Sequence, residues 1–319
     1  MMTNDQDVTD VLVIGGGAAG LNAALVLAQA QRKVALIDAG AQRNRGAAHL
    51  HGFLSRDGMR PEDLFDIGRR EIEDYGVRVR GGVVVALRRC DRHFGAVTED
   101  RTILKARRIV LATGMTDILP EIPGVADSWG RDVLSCPYCH GWEIRSTGIA
   151  VLGSDERAAR ISILLTQWSP DVVLVPLATP PAFTTQHRDY LGAAGVRVTE
   201  HPVRALRHSE GRLAAVELAD GTSLPCDACF VTPTPHPRLE LLESLGCVLD
   251  EGTGLPRVDM TGRSSVPGCW IVGNAANPVH HLIMAAAHGA SAAQAINQNL
   301  LEEDLLAKLA TTPAQASAR

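Results

Sequence analysis

The first forty residues alternate between apolar runs and glycine-rich or polar turns in the order strand, turn, helix, strand. Asp10 to Ile14 is a continuous apolar run typical of a buried strand, and the glycine-rich turn Gly15 to Gly20 follows it. An Ala- and Leu-rich helix is expected from Leu21 to Ala30. A second strand is expected from Lys33 to Ile37, with Asp38 at its end. The pattern therefore predicts a βαβ unit.

A second opening of the same kind begins at Gly148. Its apolar runs predict strands at Ile149–Leu152 and Asp171–Val175 around a helix at Ala158–Trp168. A shift of 138 residues superimposes the first unit on the second, so that Gly15 falls on Gly153. This internal repeat predicts an α/β protein with two nucleotide-binding-type domains.

Composition and charge exclude several classes of protein. The chain of 319 residues is 45% hydrophobic and 21% charged, as is ordinary for a soluble globular protein. Its net charge of −5 predicts no broad basic surface, so nucleic acid is not an expected partner. The polar, acidic start at residues 1–10 lacks the features of a signal peptide, and no apolar run is long enough to span a membrane. We therefore expect a cytoplasmic protein that does not associate with membranes.

The first glycine loop has the spacing of a dinucleotide-binding turn. In such a loop the first glycine makes the turn, the second lets the backbone approach a pyrophosphate, and the third lets helix and strand pack closely. The helix N-terminus supplies N–H groups and positive dipole to the phosphates. Asp38 follows the second strand, where a carboxylate can accept hydrogen bonds from ribose hydroxyls.

Two cysteines three residues apart, Cys136 and Cys139, are candidates for redox chemistry. They can close a small disulfide ring, and a helix opening at the motif would favour a thiolate. His140 follows directly and can take or give a proton near neutral pH. The alternatives are a zinc site shared with Cys226 and Cys229, two inert core cysteines, or a glutaredoxin-like domain. The seven cysteines in a cytosolic-type chain do not indicate a disulfide scaffold.

The order of the motifs resembles that of the low-molecular-weight thioredoxin reductases. These motifs are the first glycine loop, LATG at 111–114 with LPEIPG at 119–124, the CxxC ahead of the second unit, and Gly273-Asn274 before an Ala-rich helix. The resemblance implies two Rossmann-like, three-layer ββα nucleotide-binding domains and a homodimer. Residues 1–119 and 250–319 would form an FAD domain, split around an inserted pyridine-nucleotide-type domain at 120–249 that carries the CxxC.

The resemblance also assigns roles to residues. Cys139 would face the flavin, Cys136 would meet the substrate, and His140 would join them as a catalytic residue. Asn274 stands where the family has Asp, and His280-His281 where it usually has Arg-Gln. No metal ligand is predicted. The residues expected to bind FAD are Gly15, Gly17, Ala18, Ala19, Gly20, Asp38, Arg45, His51, Val84, Ala112, Thr113, Gly114, Gly273, Asn274, His281, Leu282 and Ile283.

The second glycine loop departs from the family's NADPH-binding pattern. Asp155 replaces the middle glycine and Glu156 adds another carboxylate, which only Arg157 can partly offset. Beyond the second strand the family has an arginine cluster for the 2′-phosphate, but this chain has residues 176–181 (PLATPP), and its next arginine is Arg188. Binding of NADPH is therefore doubtful, although an altered binding mode stays open.

The histidine after the CxxC, where thioredoxin reductases usually have Asp, resembles the dithiol oxidases that close the disulfides of gliotoxin, holomycin and romidepsin. The resemblance implies a small dithiol that reduces the cysteine pair, FAD that takes the electrons, dioxygen as their acceptor, and His140 as the base. Two other functions remain open. They are an NADPH-dependent thioredoxin-disulfide reductase and a flavin-binding redox sensor without turnover.

Overall fold

The computed structural model of the protein describes residues 8–90, 93–179, 181–238 and 240–311. Pro180 and the first seven residues of the acidic start therefore lie outside the described residues. The chain divides into two compact units, of which the first comprises residues 1–43, 62–116 and 237–319 and the second residues 44–61 and 117–236. In the described part of the chain, no helix is both long and apolar enough to cross a membrane.

Strands and helices alternate along the chain as an α/β fold requires. The strands are β1 (Val8–Ile14), β2 (Val34–Asp38), β3 (Arg78–Gly81), β4 (Val84–Cys90), β5 (His93–Thr98), β6 (Ile103–Leu111), β7 (Met115–Ile118), β8 (Val133–Leu134), β9 (Ile149–Leu152), β10 (Val172–Val175), β11 (Arg197–Val198), β12 (Val203–Ser209), β13 (Arg212–Leu218), β14 (Ser223–Pro225), β15 (Ala228–Val231), β16 (Thr234–Pro237) and β17 (Cys269–Ile271). The helices are α1 (Ala18–Gln29), α2 (Pro61–Asp74), α3 (Pro137–His140), α4 (Glu156–Leu165), α5 (Thr185–Ala193), α6 (Glu240–Glu243) and α7 (Leu282–Thr311).

The first unit is built on a sheet in the order β3-β2-β1-β6-β5-β4, with β17 also paired to β6. Its strands β3, β2, β1, β6 and β17 are parallel, and β5 and β4 continue the sheet antiparallel. Because successive strand side chains point to opposite faces, Val11 and Val13 pack with helices α1 and α7. Leu12 and Ile14 pack on the other face with residues of β4 and β5. The result is three layers.

The second unit repeats this plan on the parallel sheet β11-β10-β9-β15-β8. Ile149 and Val151 pack with helices α4 and α5, whereas Ala150 and Leu152 pack with the antiparallel sheet β12-β13-β14. The strand registers obey the sequence repeat, since the pair Val11–Val34 in the first unit corresponds to Ile149–Val172 in the second. The predicted fold of two Rossmann-like, three-layer units is therefore confirmed.

Two segments group with a different structural unit from the domain that the sequence analysis assigned them to. Residues 237–249, expected in the inserted domain, group with the first unit because Leu241 and Leu242 are buried in its core beside Ile14. Residues 44–61, expected in the FAD domain, group with the second unit. The strands β7 and β16, in which the chain passes between the units, pair as a two-stranded sheet. The assignment of FAD to one unit and pyridine nucleotide to the other stays a prediction.

Candidate functional site

The cysteine motif forms a single helical turn at the end of a buried strand. The fully apolar strand β8 leads into α3, for which Cys136 is the N-cap and Pro137 the first helical residue. Cys136 and Cys139 are joined in a disulfide with their Cα atoms 5.2 Å apart. The backbone N–H of Cys139 points at Cys136 Sγ at 3.1 Å, so it would stabilise a thiolate there after reduction.

The indole ring of Trp168 packs against this turn. The ring of Tyr138 meets the Trp168 ring edge to face, with centroids 5.9 Å apart. Gly141 lies so close that a Cβ atom there would be 2.6 Å from the indole. The glycine after the histidine is therefore required by packing, and the close contact fixes the turn that carries the disulfide and His140.

His140 is placed to act as a neutral base. Burial lowers the pKa of its imidazole, the charge of Glu143 raises it, and the nearby His51 lowers it again, with a net lowering from the usual 6.5. The imidazole is therefore unprotonated at neutral pH and can accept a proton from a thiol. No hydrogen bond to the imidazole comes from the described residues, which leaves it available to a substrate.

The loop formed by residues 44–61 brings three further titratable groups together beside this turn. Hydrogen bonds from Leu50 N to Met59 O and from Gly58 N to Leu50 O, both 2.8 Å, close the loop. Within it His51 Nδ1 lies 3.2 Å from Asp57 Oδ1, while His51 Nε2 lies 2.5 Å from Glu143 Oε1. Sequence reasoning gave no role to Asp57 or Glu143. The only available signal was the three-residue spacing of His140 and Glu143, which puts both on one side of a helical turn.

The second CxxC packs in the core of the second unit. Cys226 and Cys229 are both buried with free thiols. Burial raises the pKa of Cys226 to about 12 and raises that of Cys229 far above its usual value. Because metal ions bind the thiolate, these protonated thiols are poor zinc ligands, and the disulfide occupies the other two cysteines.

The helix that follows the second glycine loop is capped by the chain itself. Asp155 is the N-cap of α4, and its carboxylate accepts a hydrogen bond from Ala158 N at 2.9 Å. The carboxylate thus occupies one of the N–H groups that a pyrophosphate would need, and its charge would repel the phosphates. The Arg157 guanidinium is held by a different partner, since it donates to the Pro233 carbonyl at 3.2 Å.

The turn that follows strand β10 also forms hydrogen bonds within the chain. Ser154 Oγ accepts hydrogen bonds from Leu177 N at 2.8 Å and Ala178 N at 3.0 Å. Glu156 faces Arg160 and His187, each at 3.7 Å. The backbone amides of Leu177 and Ala178 and the side chains of Arg160 and His187 therefore already have partners within the chain.

The first glycine loop leads into a helix whose N-terminus has no side-chain cap in the described part of the chain, in contrast to the second. Helix α1 has Gly17 as its N-cap, and no side chain of the described residues caps it. A Cβ atom on Gly17 would have nothing within 4 Å, whereas one on Gly15 would meet Ala112 O at 2.2 Å and one on Gly20 would meet Gly15 O at 1.9 Å. The loop is thus tightly built, with open space before uncapped N–H groups, and it fits the pyrophosphate of FAD.

Other predicted FAD residues of the first unit gather around this loop. Asp38 accepts hydrogen bonds from Gly16 N, Gln42 and Arg69, and a carboxylate with about four acceptor sites has room for one more donor. Gly273 packs against α1, since a Cβ atom there would be 2.8 Å from that of Ala19. In the LATG segment, Ala112 lies against Gly15 and is followed by Thr113 and Gly114.

The remaining predicted FAD residues lie in different surroundings. Val84 is buried in the core of the first unit, with its side chain among apolar neighbours. Arg45 and His51 belong to the second unit. His281 and Ile283 are exposed at the start of α7, and Leu282 is half-buried against the core. Their contacts with FAD stay predictions.

Asn274, which stands where the family has Asp, ties the following loop together. Its side-chain amide nitrogen lies within hydrogen-bonding distance of three carbonyl oxygens, those of Asn277 at 3.1 Å, Pro278 at 3.2 Å and His280 at 3.0 Å. Only the NH₂ group can donate to carbonyls, so the orientation of the amide is fixed. Its oxygen is left to accept a hydrogen bond from a cofactor hydroxyl.

We expect Asn274→Asp to destabilise the protein although it restores the family's usual residue. A carboxylate would face three carbonyl oxygens without a proton to donate, at a cost of about 1–3 kcal/mol. The midpoint of urea unfolding, followed by circular dichroism, measures this. Asn297→Asp is the matched control, because Asn297 Oδ1 accepts from Arg32 Nε at 2.7 Å and a carboxylate keeps that contact. An Asn274→Asp protein as stable as the control would contradict the assignment.

Comparison with known proteins places the chain in a family. Residues 9–293 match the model of the pyridine nucleotide-disulphide oxidoreductases. Thioredoxin reductase sirT of Leptosphaeria maculans is 27% identical over 330 residues, which cover 96% of this chain and 99% of the relative. The crystal structure of HlmI is 42% identical, with a TM-score of 0.91 over 97% of each chain. A putative thioredoxin reductase TrxB from Bacillus anthracis is 34% identical, with a TM-score of 0.86 over 92% of this chain and 99% of that one.

The chain belongs to the pyridine nucleotide-disulphide oxidoreductase family. Within that family it is a thioredoxin reductase-like enzyme, and membership implies FAD as its cofactor. The resemblance predicted from the motif order is confirmed. FAD would be held through the first glycine loop, where it would supply a two-electron acceptor for the cysteine pair.

Proposed function

We propose that the protein is an FAD-dependent dithiol oxidase that forms an intramolecular disulfide in a small-molecule natural product. One observation carries the proposal. The two units repeat the same strand–turn–helix opening, yet the helix N-terminus is open in the first and capped by Asp155 in the second. A chain with an intact FAD loop and a blocked NADPH loop needs another source of electrons, and a dithiol can supply them through Cys136–Cys139.

The proposed reaction is two successive thiol–disulfide exchanges. A substrate thiolate attacks Cys136 Sγ, which breaks the Cys136–Cys139 bond and expels the Cys139 thiolate. The second substrate thiolate then attacks the substrate sulfur of the mixed disulfide and expels the Cys136 thiolate. The product gains one S–S bond, the cysteine pair gains two electrons, and two thiol protons are released. His140 accepts one of these protons at a time, because its neutral imidazole has a single basic nitrogen and belongs to the same turn.

The later steps of the proposal rest on the resemblance. Cys139 would be the cysteine that passes the electrons to FAD, and dioxygen would remove them as hydrogen peroxide. The homodimer, the cytoplasmic location and a role in secondary metabolism are predictions of the same kind. The relatives named thioredoxin reductase favour a second candidate, the NADPH-dependent reduction of a protein disulfide.

The test is aerobic turnover of a small dithiol by the purified holoenzyme without NADPH. We expect one intramolecular disulfide for each dioxygen consumed, because both processes transfer two electrons. Heat-denatured holoenzyme, which releases its flavin, is the control for spontaneous oxidation. Disulfide formation no faster than in that control, together with rapid NADPH-dependent reduction of thioredoxin, would replace the proposal with the second candidate.

A further inference from the structure

One cluster beside the disulfide has no part in the exchange chemistry described so far. Glu143 lies three residues after His140, and its backbone N–H donates to the His140 carbonyl at 3.2 Å. Its carboxylate is in contact with His51, whose other ring nitrogen faces Asp57. All four side chains belong to the second unit, and they join a CxxC turn to a loop some ninety residues earlier in the chain.

We propose that Glu143, held in place by His51 and Asp57, passes the protons of the substrate thiols from His140 to solvent. The inference rests on the proposed function, because it needs a dithiol that releases protons at this turn. His51 and Asp57 are positioning residues, since they act through Glu143. Glu143 itself exchanges protons with His140 and touches no substrate atom.

The difference in solvent exposure between His140 and Glu143 gives the direction of proton transfer. The His140 imidazole is largely buried, and the Glu143 carboxylate beside it is 37% exposed. A proton on His140 is disfavoured by burial, whereas the Glu143 carboxylate can reach both the buried turn and water. Each oxidised dithiol releases two protons, so His140 must discharge at least once in every cycle before it can accept again.

His51 supplies the fixed geometry. Its side chain is only 16% exposed, and each of its ring nitrogens faces a carboxylate, Glu143 at 2.5 Å and Asp57 at 3.2 Å. Asp57 is anchored in turn by a hydrogen bond from Gly52 N at 2.9 Å. The two contacts lie at opposite ends of the imidazole, so rotation of the ring would break at least one of them.

The electrostatics of the cluster agree with this arrangement. The charged groups that act on His140 are Glu143, which raises its pKa, and His51, which lowers it. The two neighbours therefore oppose one another, and their removal should change the protonation of His140 in opposite directions.

The experiment is the pH dependence of anaerobic flavin bleaching by dithiothreitol, measured by stopped flow on the holoenzyme. In Glu143→Gln, loss of the carboxylate should move the acidic limb of the profile to lower pH. The plateau rate should also fall about two- to tenfold, the usual range of coupling between neighbouring residues. In His51→Gln the acidic limb should move to higher pH. The titration of the probe's own thiols is common to all variants and cancels in the comparison.

His201→Gln is the matched control, because His201 also faces a carboxylate, Asp220 at 3.6 Å, but has no effect on His140. It should leave the profile unchanged. A plateau rate that is unchanged in Glu143→Gln would overturn the inference, as would limbs that stay in place in both test variants or move in the same direction. If dithiothreitol fails to bleach the flavin of the wild-type protein, both the proposed function and the inference are wrong. If dithiothreitol bleaches the wild-type flavin but the pH profiles of the variants do not shift, only the inference is wrong.

Discussion

Cys136→Ser and Cys139→Ser should each lower dithiol oxidation about 10⁴-fold or more, as expected for loss of a nucleophile or leaving group. Neither single cysteine can form the Cys136–Cys139 disulfide, which is the only disulfide among the described residues. Without that bond a substrate thiolate has no sulfur to attack. Turnover of the dithiol in air by the flavin-loaded variants measures the effect, and FAD absorbance confirms that the cofactor is still present.

The two variants should differ when they are incubated with the cyclic disulfide product. The resemblance makes Cys136 the cysteine that meets substrate, so Cys139→Ser should retain the product as a mixed disulfide and gain its mass. Cys136→Ser should gain none. Cys90→Ser is the matched control, because Cys90 is an exposed free cysteine, and it should turn over normally. Full activity in either active-site variant, or adducts only on Cys136→Ser, would contradict these roles.

Gly17→Ala and Gly20→Ala should separate flavin binding from folding. A Cβ on Gly17 meets no protein atom within 4 Å, so this variant should fold normally while its methyl group stands where pyrophosphate approaches. We expect FAD affinity about ten- to hundredfold weaker, or about 1.4–2.8 kcal/mol. In Gly20→Ala the Cβ would lie 1.9 Å from Gly15 O, and the backbone must shift, at about 1–3 kcal/mol or more.

Flavin titration of the apoprotein and its thermal midpoint measure the two effects independently. Gly192→Ala is the matched control, since Gly192 lies inside helix α5 with nothing within 4 Å of a Cβ atom. It should stabilise the protein slightly because alanine is the better helix former. Unchanged FAD affinity in Gly17→Ala would show that the pyrophosphate does not bind at this helix N-terminus.

Much of the fold could be predicted because its signals are local. The apolar run before Gly15 and its counterpart before Gly153 specify the same strand and turn, and the two registers agree residue for residue. The cysteine pair at the start of a helical turn follows from spacing and from Pro137. Helix bounds were less exact. Helix α1 begins at Ala18, before the expected Leu21, and ends at Gln29, next to the expected Ala30.

The parts that could not be predicted depend on contacts between distant residues. No pattern in the sequence links His51 to Glu143 or places Leu241 in the core of the first unit. The glycine-loop defect at Asp155 was visible, but its physical form was not. The sequence showed a misplaced negative charge, whereas the structure shows an N-cap whose carboxylate accepts a hydrogen bond from Ala158 N.

The two glycine loops share the same fold but differ in their capacity to bind a phosphate. Both loops connect equivalent strands to equivalent helices, with Gly15 N donating to Ile37 O at 2.8 Å and Gly153 N to Val175 O at 3.1 Å. They differ at the helix N-cap, which is Gly17 in one and Asp155 in the other. A single side chain at that position therefore decides whether the same scaffold presents its N–H groups to a phosphate or uses them internally.

The most direct test of the account is anaerobic stopped flow of the holoenzyme, mixed separately with NADPH and with a small dithiol, while flavin absorbance is recorded. We expect the dithiol to bleach the flavin, admission of air to restore it, and NADPH to leave it oxidised because Asp155 caps the helix N-terminus. Rapid bleaching by NADPH would contradict a blocked nucleotide loop and make the protein a reductase.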